Sequence, residues 1–256
     1  MTEVALHAIV SGPAGAQTVV LGPSLGTTVD VWQPQLPLLE QDFQVVRYDH
    51  RGHDGSGVPA GPYTIAELGA DVVRLLDSLR IARVHYVGLS LGGMLGMWLA
   101  AHAPDRVDRL ALVSTSAFMP PASAWRERAE TVRTKGTSAV AESVVNRWFT
   151  ADFAARHAAV VDHYTEALAA LPADGYAGCC DAIGGMDLRA DLAAIRAPTV
   201  VVVGVDDPAT PPAHAQVIAG GIAGAHVVRV DDAAHLANVE QPDEVGRLVA
   251  AHLGAQ

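Results

Sequence analysis

Ser90 lies in the string Gly88-Leu-Ser90-Leu-Gly92-Gly93. A β-branched run, Val84-His-Tyr-Val87, precedes it, and an apolar helical pattern of Met94, Leu95, Met97, Trp98 and Leu99 follows. A strand, a tight turn and a helix in that order hold a serine hydroxyl above the end of a sheet. A side chain inside the bend would strike the neighbouring backbone, so Gly88, Gly92 and Gly93 supply the room. The amide of Leu91, at the helix N-terminus, points where a carbonyl attacked by Ser90 would gain negative charge. The plainer reading is a serine that caps a helix after a glycine turn. A serine hydroxyl attacks only when a base takes its proton, and that base needs a carboxylate to fix its tautomer. Of eleven histidines, His235 follows the last strand pattern in Val230-Asp-Asp-Ala-Ala-His235, whereas His85, His102 and His252 sit inside elements as structural residues. Asp207, just before Pro208, is the carboxylate of choice, with Asp206 as the alternative. The loop Ser114-Thr-Ser offers no acid. A second oxyanion donor is expected from Leu25 in Gly22-Pro-Ser24-Leu25-Gly26-Thr27.

The elements that must position these groups alternate along the chain. Strand patterns cover residues 4–10, 18–21, 43–48, 84–87, 110–113, 199–203 and 226–230. Helical spacing covers 65–79, 91–102, 212–220 and 243–253. This alternation predicts an α/β fold with a mostly parallel, twisted sheet covered by helices on both faces. The first two strands, joined across Ser11-Gly-Pro-Ala-Gly, read as an antiparallel hairpin at one edge. Residues 118–189 break the rhythm, with helical patterns at 123–135, 138–148, 152–171 and 176–186 and no strand. They read as a helical lid inserted between core segments 1–117 and 190–256, over the strand ends that carry Ser90. A helical decoration with no part in binding is the alternative. The charged, glycine-rich loop Tyr48-Asp49-His50-Arg51-Gly52-His53-Asp54-Gly55-Ser56-Gly57 reads as a hydrogen-bonded structural turn rather than a substrate contact.

Half of the 256 residues are hydrophobic, enough to build a large core without metal or disulfide staples. The net charge of −11 and the lack of any basic run argue against nucleic-acid or acidic-membrane partners. Cys179 and Cys180 are adjacent and form neither a disulfide framework nor a metal-ligand spacing. No apolar run reaches the ~20 residues of a membrane span, and no secretion signal opens the chain. A cytoplasmic protein is expected, working without cofactor or metal.

The motifs Arg51-Gly-His53, Gly88-Leu-Ser90-Leu-Gly-Gly93, Gly204 to Asp207 and His235 to Glu240-Gln-Pro242 resemble the α/β-hydrolase fold family. Ser24-Leu-Gly-Thr27, Trp32-Gln-Pro-Gln35, Arg147-Trp-Phe-Thr150 and Gly175-Tyr-Ala-Gly-Cys-Cys-Asp-Ala-Ile183 resemble its 3-oxoadipate enol-lactonases more narrowly. Pro23-Ser24 stands where the oxyanion loop of such proteins usually reads His-Gly. The resemblance implies a lactone hydrolase of aromatic-compound breakdown, with Ser90, Asp207 and His235 as triad and Leu25 and Leu91 as oxyanion donors. It implies a small lactone substrate bearing a carboxylate; the fused decarboxylase domain that some relatives carry is not expected here. Ser24, Arg133, Arg147, Arg189 and Trp148 are the candidate substrate contacts. Another serine hydrolase of this fold (a carboxylesterase, a carbon–carbon bond hydrolase or a perhydrolase) would use the same triad, and a non-catalytic binder would keep the fold alone.

Overall fold

The structure is a computed structural model that describes residues 3–254. Seven strands form one sheet: β1 (Ala8–Ser11), β2 (Thr18–Gly22), β3 (Gln44–Tyr48), β4 (Val84–Leu89), β5 (Val107–Val113), β6 (Thr199–Gly204) and β7 (His226–Val230). Their spatial order is β1-β3-β2-β4-β5-β6-β7. Every residue of β2, β4 and β6 is buried, as continuous apolar runs require when both sheet faces are covered. The edge strand β7 exposes residues instead.

The expected hairpin of the first two strands does not form. β1 pairs antiparallel with β3, Ala8 opposite Tyr48, while β2 lies parallel between β3 and β4. The run Val19-Val20-Leu21 is wholly buried and needs a paired neighbour on each side, so β1 is left with the outer edge of β3. The first strand is also shorter than its sequence pattern and starts at Ala8.

Between β2 and β3 the chain makes a 3₁₀ turn (Val29–Gln35) and a short helix, α1 (Leu36–Leu39). Neither stands out in the sequence. The turn buries Trp32 completely, and its Nε1–H donates to the carbonyl of Gly22 at 3.1 Å. Helix α2 (Ile65–Ser78) opens with a capping box in which Thr64 and Glu67 satisfy each other's backbone N–H. Helix α3 (Leu91–His102) follows β4 directly and is apolar on nearly every side because sheet and α2 enclose it.

Five helices lie between β5 and β6: α4 (Ala122–Lys135), α5 (Ser138–Val145), α6 (Ala151–Arg156), α7 (Ala158–Ala169) and α8 (Ala173–Gly185). The pattern over 152–171 resolves into α6 and α7, because the backbone turns out of the helix at His157 (φ −128°, ψ 44°). The His157 ring packs on Phe153 at 4.4 Å between centroids. The insertion leaves and rejoins the core at one point, where Phe118 bridges Asp187 and the Leu188 N–H donates to the Ala117 carbonyl at 2.8 Å. Helix α9 (Pro212–Gly221), the short α10 (Ala237–Glu240) and α11 (Pro242–Gly254) complete the chain. Among the described residues no helix is long and apolar enough to cross a membrane.

Candidate active site

Ser90 joins β4 to α3 with φ 53° and ψ −113°, a conformation that L-residues rarely adopt and that costs about 1–3 kcal/mol. The surrounding backbone holds it there. The Ser90 N–H donates to the Val113 carbonyl at 2.9 Å, and the Ser90 carbonyl accepts from Thr115 Oγ1 at 2.6 Å. Glycine is required on both sides of the turn. A Cβ at Gly88 would lie 2.3 Å from the carbonyl oxygen of Gly92, and one at Gly92 would lie 2.3 Å from that of Gly22.

Asp207 and His235 reach Ser90 from the loops after β6 and β7. His235 Nε2 lies 3.0 Å from Ser90 Oγ, and His235 Nδ1 lies 2.9 Å from Asp207 Oδ2. Asp207 is buried, yet its carboxyl titrates below the ordinary carboxylate range. Burial alone would raise it, but the charge and hydrogen bond of His235 and the hydrogen bonds from Thr210 outweigh that effect. Its Oδ1 accepts the N–H groups of Ala209 (2.8 Å) and Thr210 (2.9 Å), and its Oδ2 also accepts Thr210 Oγ1–H (2.7 Å). Asp206 is exposed, and its N–H donates to the Ala233 carbonyl; it does not reach His235. Sequence reasoning missed Thr210, although an acid followed three residues later by a threonine is a common turn signature.

The loop carrying Ser24 and Leu25 packs on the start of α3, where the Gly92 N–H donates to the Pro23 carbonyl at 2.9 Å. Two buried histidines grip this loop on either side of Leu25. His50 Nε2–H donates to the Pro23 carbonyl at 2.8 Å, and His53 Nε2 accepts the Gly26 N–H at 3.0 Å. These bonds require a neutral His53. Burial pulls His50 down to about 4, and burial together with the nearby His50 pulls His53 down to about 3. The turn that carries them is pinned to α2 by Arg51, whose Nε and Nη2 both donate to the Asp71 carboxylate. Among the described residues no protein acceptor takes the N–H of Leu25 or of Leu91.

His7, Asp49 and Asp54 bring potential metal ligands within 4.8 Å of one another. Asp49 already accepts the Val29 N–H with one oxygen and pairs with His7 through the other, so this cluster braces the turn.

Above Ser90 lies a cavity of about 260 Å³, lined by Ser24, Leu25, Trp125, Arg128, Arg147, Trp148, Tyr176 and His235 among others. Of the candidate arginines, Arg133 pairs with Asp181, and Arg189 pairs with Asp187 and covers the Phe118 ring. Neither lines this cavity. Arg147 does, and so does Arg128, which the sequence reading passed over. Arg128 sits 4.6 Å from the Trp125 ring, one helical turn away on α4; an i, i+3 pairing was the available signal. Among the described residues neither arginine has a carboxylate partner. Burial and then the charge of Arg128 lower the Arg147 guanidinium from its ordinary value. The Tyr176 hydroxyl is buried and bonds no protein atom. Two cations and an unused donor lining one cavity favour a ligand with negative charge.

A family model described as the alpha/beta hydrolase fold matches residues 17–242. The chain is 37% identical over 249 residues to 3-oxoadipate enol-lactonase 2 of Acinetobacter baylyi, covering 97% of this chain and 93% of that one. Among solved structures, the enol-lactonase from Burkholderia xenovorans LB400 superposes with a TM-score of 0.95 at 41% identity, covering 97% of this chain and 96% of that one. A hydrolase from Pseudomonas aeruginosa PA01 superposes with a TM-score of 0.94 at 44% identity, covering 98% and 94%. With its seven-stranded sheet and these relatives, the chain belongs to the α/β-hydrolase fold family.

Proposed function

We propose that this protein opens the lactone ring of 3-oxoadipate enol-lactone, with Ser90 as nucleophile, His235 as base and Asp207 as the acid that orients it. The observation that carries the reading is one cavity that brings two kinds of group together. Ser90 Oγ, His235 and Asp207 form a continuous hydrogen-bonded chain, and the guanidiniums of Arg128 and Arg147, without carboxylate partners among the described residues, line the same cavity as Ser90 and His235. A small lactone bearing a carboxylate fits both.

His235 Nε2 takes the Ser90 proton as Oγ attacks the lactone carbonyl. The tetrahedral oxyanion rests on the amides of Leu25 and Leu91, which are fixed before the reaction and need no reorganisation. Collapse breaks the ring C–O bond. The departing oxygen is an enolate, more stable than an alkoxide, so His235 has less work as general acid. Ketonisation of the released enol makes ring opening hard to reverse. A water that gives its proton to His235 then attacks the acyl-enzyme, and breakdown of the second tetrahedral intermediate frees 3-oxoadipate and Ser90.

Arg128 and Arg147, with the Tyr176 hydroxyl, bind the carboxylate, while Trp125 and Trp148 wall the ring. The helical insertion serves as a lid that keeps bulk water away and strengthens each of these charge interactions. Ser24 lines the cavity beside Leu25 and contributes mainly through its place in the oxyanion loop.

The deciding assay follows loss of enol-lactone absorbance against hydrolysis of short p-nitrophenyl esters, together with phosphonate labelling of wild type and Ser90→Ala. Lactone turnover that exceeds ester turnover in kcat/KM, with labelling lost in Ser90→Ala, is expected. Ester turnover without lactone turnover would assign a general esterase, and absent labelling a binder.

A further inference from the structure

We infer that Glu240 is a positioning residue, whose carboxylate ties the loop of His235 to the stretch 147–150 that brings Arg147 and Trp148 to the cavity. Glu240 ends α10 and is 7% exposed. Its Oε1 accepts both the N–H (2.9 Å) and the Oγ1–H (2.8 Å) of Thr150, and its Oε2 accepts the Ala234 N–H at 2.5 Å. On the other side of the histidine, the Leu236 N–H donates to the Trp148 carbonyl at 2.9 Å. Both chain neighbours of His235 are therefore held from the stretch that follows α5, one directly and one through Glu240. That stretch also supplies Arg147 and Trp148 to the cavity.

Three donors converge on one side chain, and among the described residues no cation pairs with it. Only a group that accepts at both ends suits that arrangement. A glutamine has one accepting end, so its NH₂ must oppose an N–H on the side its oxygen abandons. With two donors at Thr150 and one at Ala234, the oxygen stays with Thr150 and the Ala234 N–H loses its acceptor. The site has room for the exchange, because a recess of about 600 Å³ lined by Phe149, Thr150, Asp206, Pro208 and Glu240 opens beside it. The consequence falls on His235, whose Nε2 must stay at hydrogen-bond distance from Ser90, and a shift of ~1 Å in such a group costs on the order of 10²-fold in rate.

The inference rests on His235 acting as base for Ser90, and the test separates the two. Phosphonate labelling is followed to completion in wild type, Glu240→Gln and Thr150→Val. The end-point counts folded sites, while the rate constant reports base and oxyanion geometry and does not depend on which lactone is the substrate. Glu240→Gln is expected to reach the wild-type end-point at a rate lowered ~10–100-fold, with kcat for enol-lactone lowered to match and KM within about twofold. Thr150→Val keeps the carboxylate and both backbone donors and is expected to label a few-fold more slowly. A wild-type labelling rate in Glu240→Gln, or a loss confined to KM, overturns the inference. Where Glu240→Gln yields no end-point, a wild-type rate in Thr150→Val overturns it. A wild-type protein that does not label at all overturns both this inference and the assignment of His235.

Discussion

Replacing Asp207 by asparagine changes one oxygen for an NH₂ group, and the structure dictates where that group goes. Oδ1 accepts two backbone N–H groups, those of Ala209 and Thr210. An NH₂ there would face two donors, so the amide oxygen keeps that place. The NH₂ then faces Thr210 Oγ1 and His235 Nδ1, the partners of the former Oδ2. It donates to Nδ1, which moves the imidazole proton to Nε2. An Nε2–H donates to Ser90 Oγ, 3.0 Å away, and cannot take the serine proton. The same tautomer inversion costs a serine protease ~10⁴ in kcat, or roughly 5.4 kcal/mol of barrier at 1.36 kcal/mol per tenfold. The assay is kcat at neutral pH on the enol-lactone and on p-nitrophenyl acetate, with circular dichroism to establish that Asp207→Asn folds. Both substrates are expected to lose activity equally, because the defect precedes any contact with the leaving group. A folded Asp207→Asn within about tenfold of wild type would refute the reasoning and with it the role of Asp207 as the orienting acid.

Two further outcomes follow from the cavity and from the oxyanion loop. Arg147→Met is expected to lower kcat/KM for the anionic lactone by ~10–100-fold, the worth of a hydrogen bond to a charged group at roughly 1.5–3 kcal/mol. Hydrolysis of a neutral ester should change by less than about threefold, and equal losses on both substrates would remove the arginine from carboxylate binding. The second outcome concerns acid stability. His50 and His53 are neutral in the fold, with values pulled down to about 4 and about 3. As pH falls below ~6.5 the unfolded chain takes up protons that the native state refuses, so each histidine removes up to roughly 1.4 kcal/mol per pH unit. That loss continues to about pH 4 for His50 and about pH 3 for His53 and then levels off. Asp207, held below its ordinary value, stabilises the fold above the unfolded carboxylate range, and this contribution disappears as pH falls through its folded value. Urea midpoints measured from neutral pH downward should therefore fall less steeply in His53→Gln than in wild type. Parallel curves would mean that His53 is not buried neutral.

The residues of the candidate triad could be read from the chain because each follows a strand at a loop whose glycines, alanines or proline mark a turn. Such signals are local, since a run of valines ending in Gly-x-Ser-x-Gly carries most of its own geometry. Strand partners are not local in this way. Ser11-Gly-Pro-Ala-Gly looks like a hairpin connection, but the pairing of β1 was decided by β2, whose buried residues demand neighbours on both sides. The cavity wall was the least legible part. Arg128, Arg133 and Arg147 all lie in helical or helix-flanking sequence, and only the docking of α4 against α8 turns Arg133 to Asp181 and Arg128 to the cavity. Glu240 was visible as part of a motif, yet its bonds to Thr150 join residues far apart in the chain, where no spacing rule reaches.

The bridge between Phe118 and Asp187 closes the neck of the insertion so that its two ends leave the core side by side. A segment attached in that way can be exchanged for another of different length without altering the register of any strand. On the proposed function, the groups that break the acyl bond then sit on one part of the chain, while Trp125, Arg128, Arg147 and Tyr176 bring the insertion's share of the cavity lining from another. A change in the second part leaves the triad loops as they are, but it must respect every fastening between the two: Glu240 on Thr150, Leu236 on Trp148, and the close approach of Gly175 to Gly52.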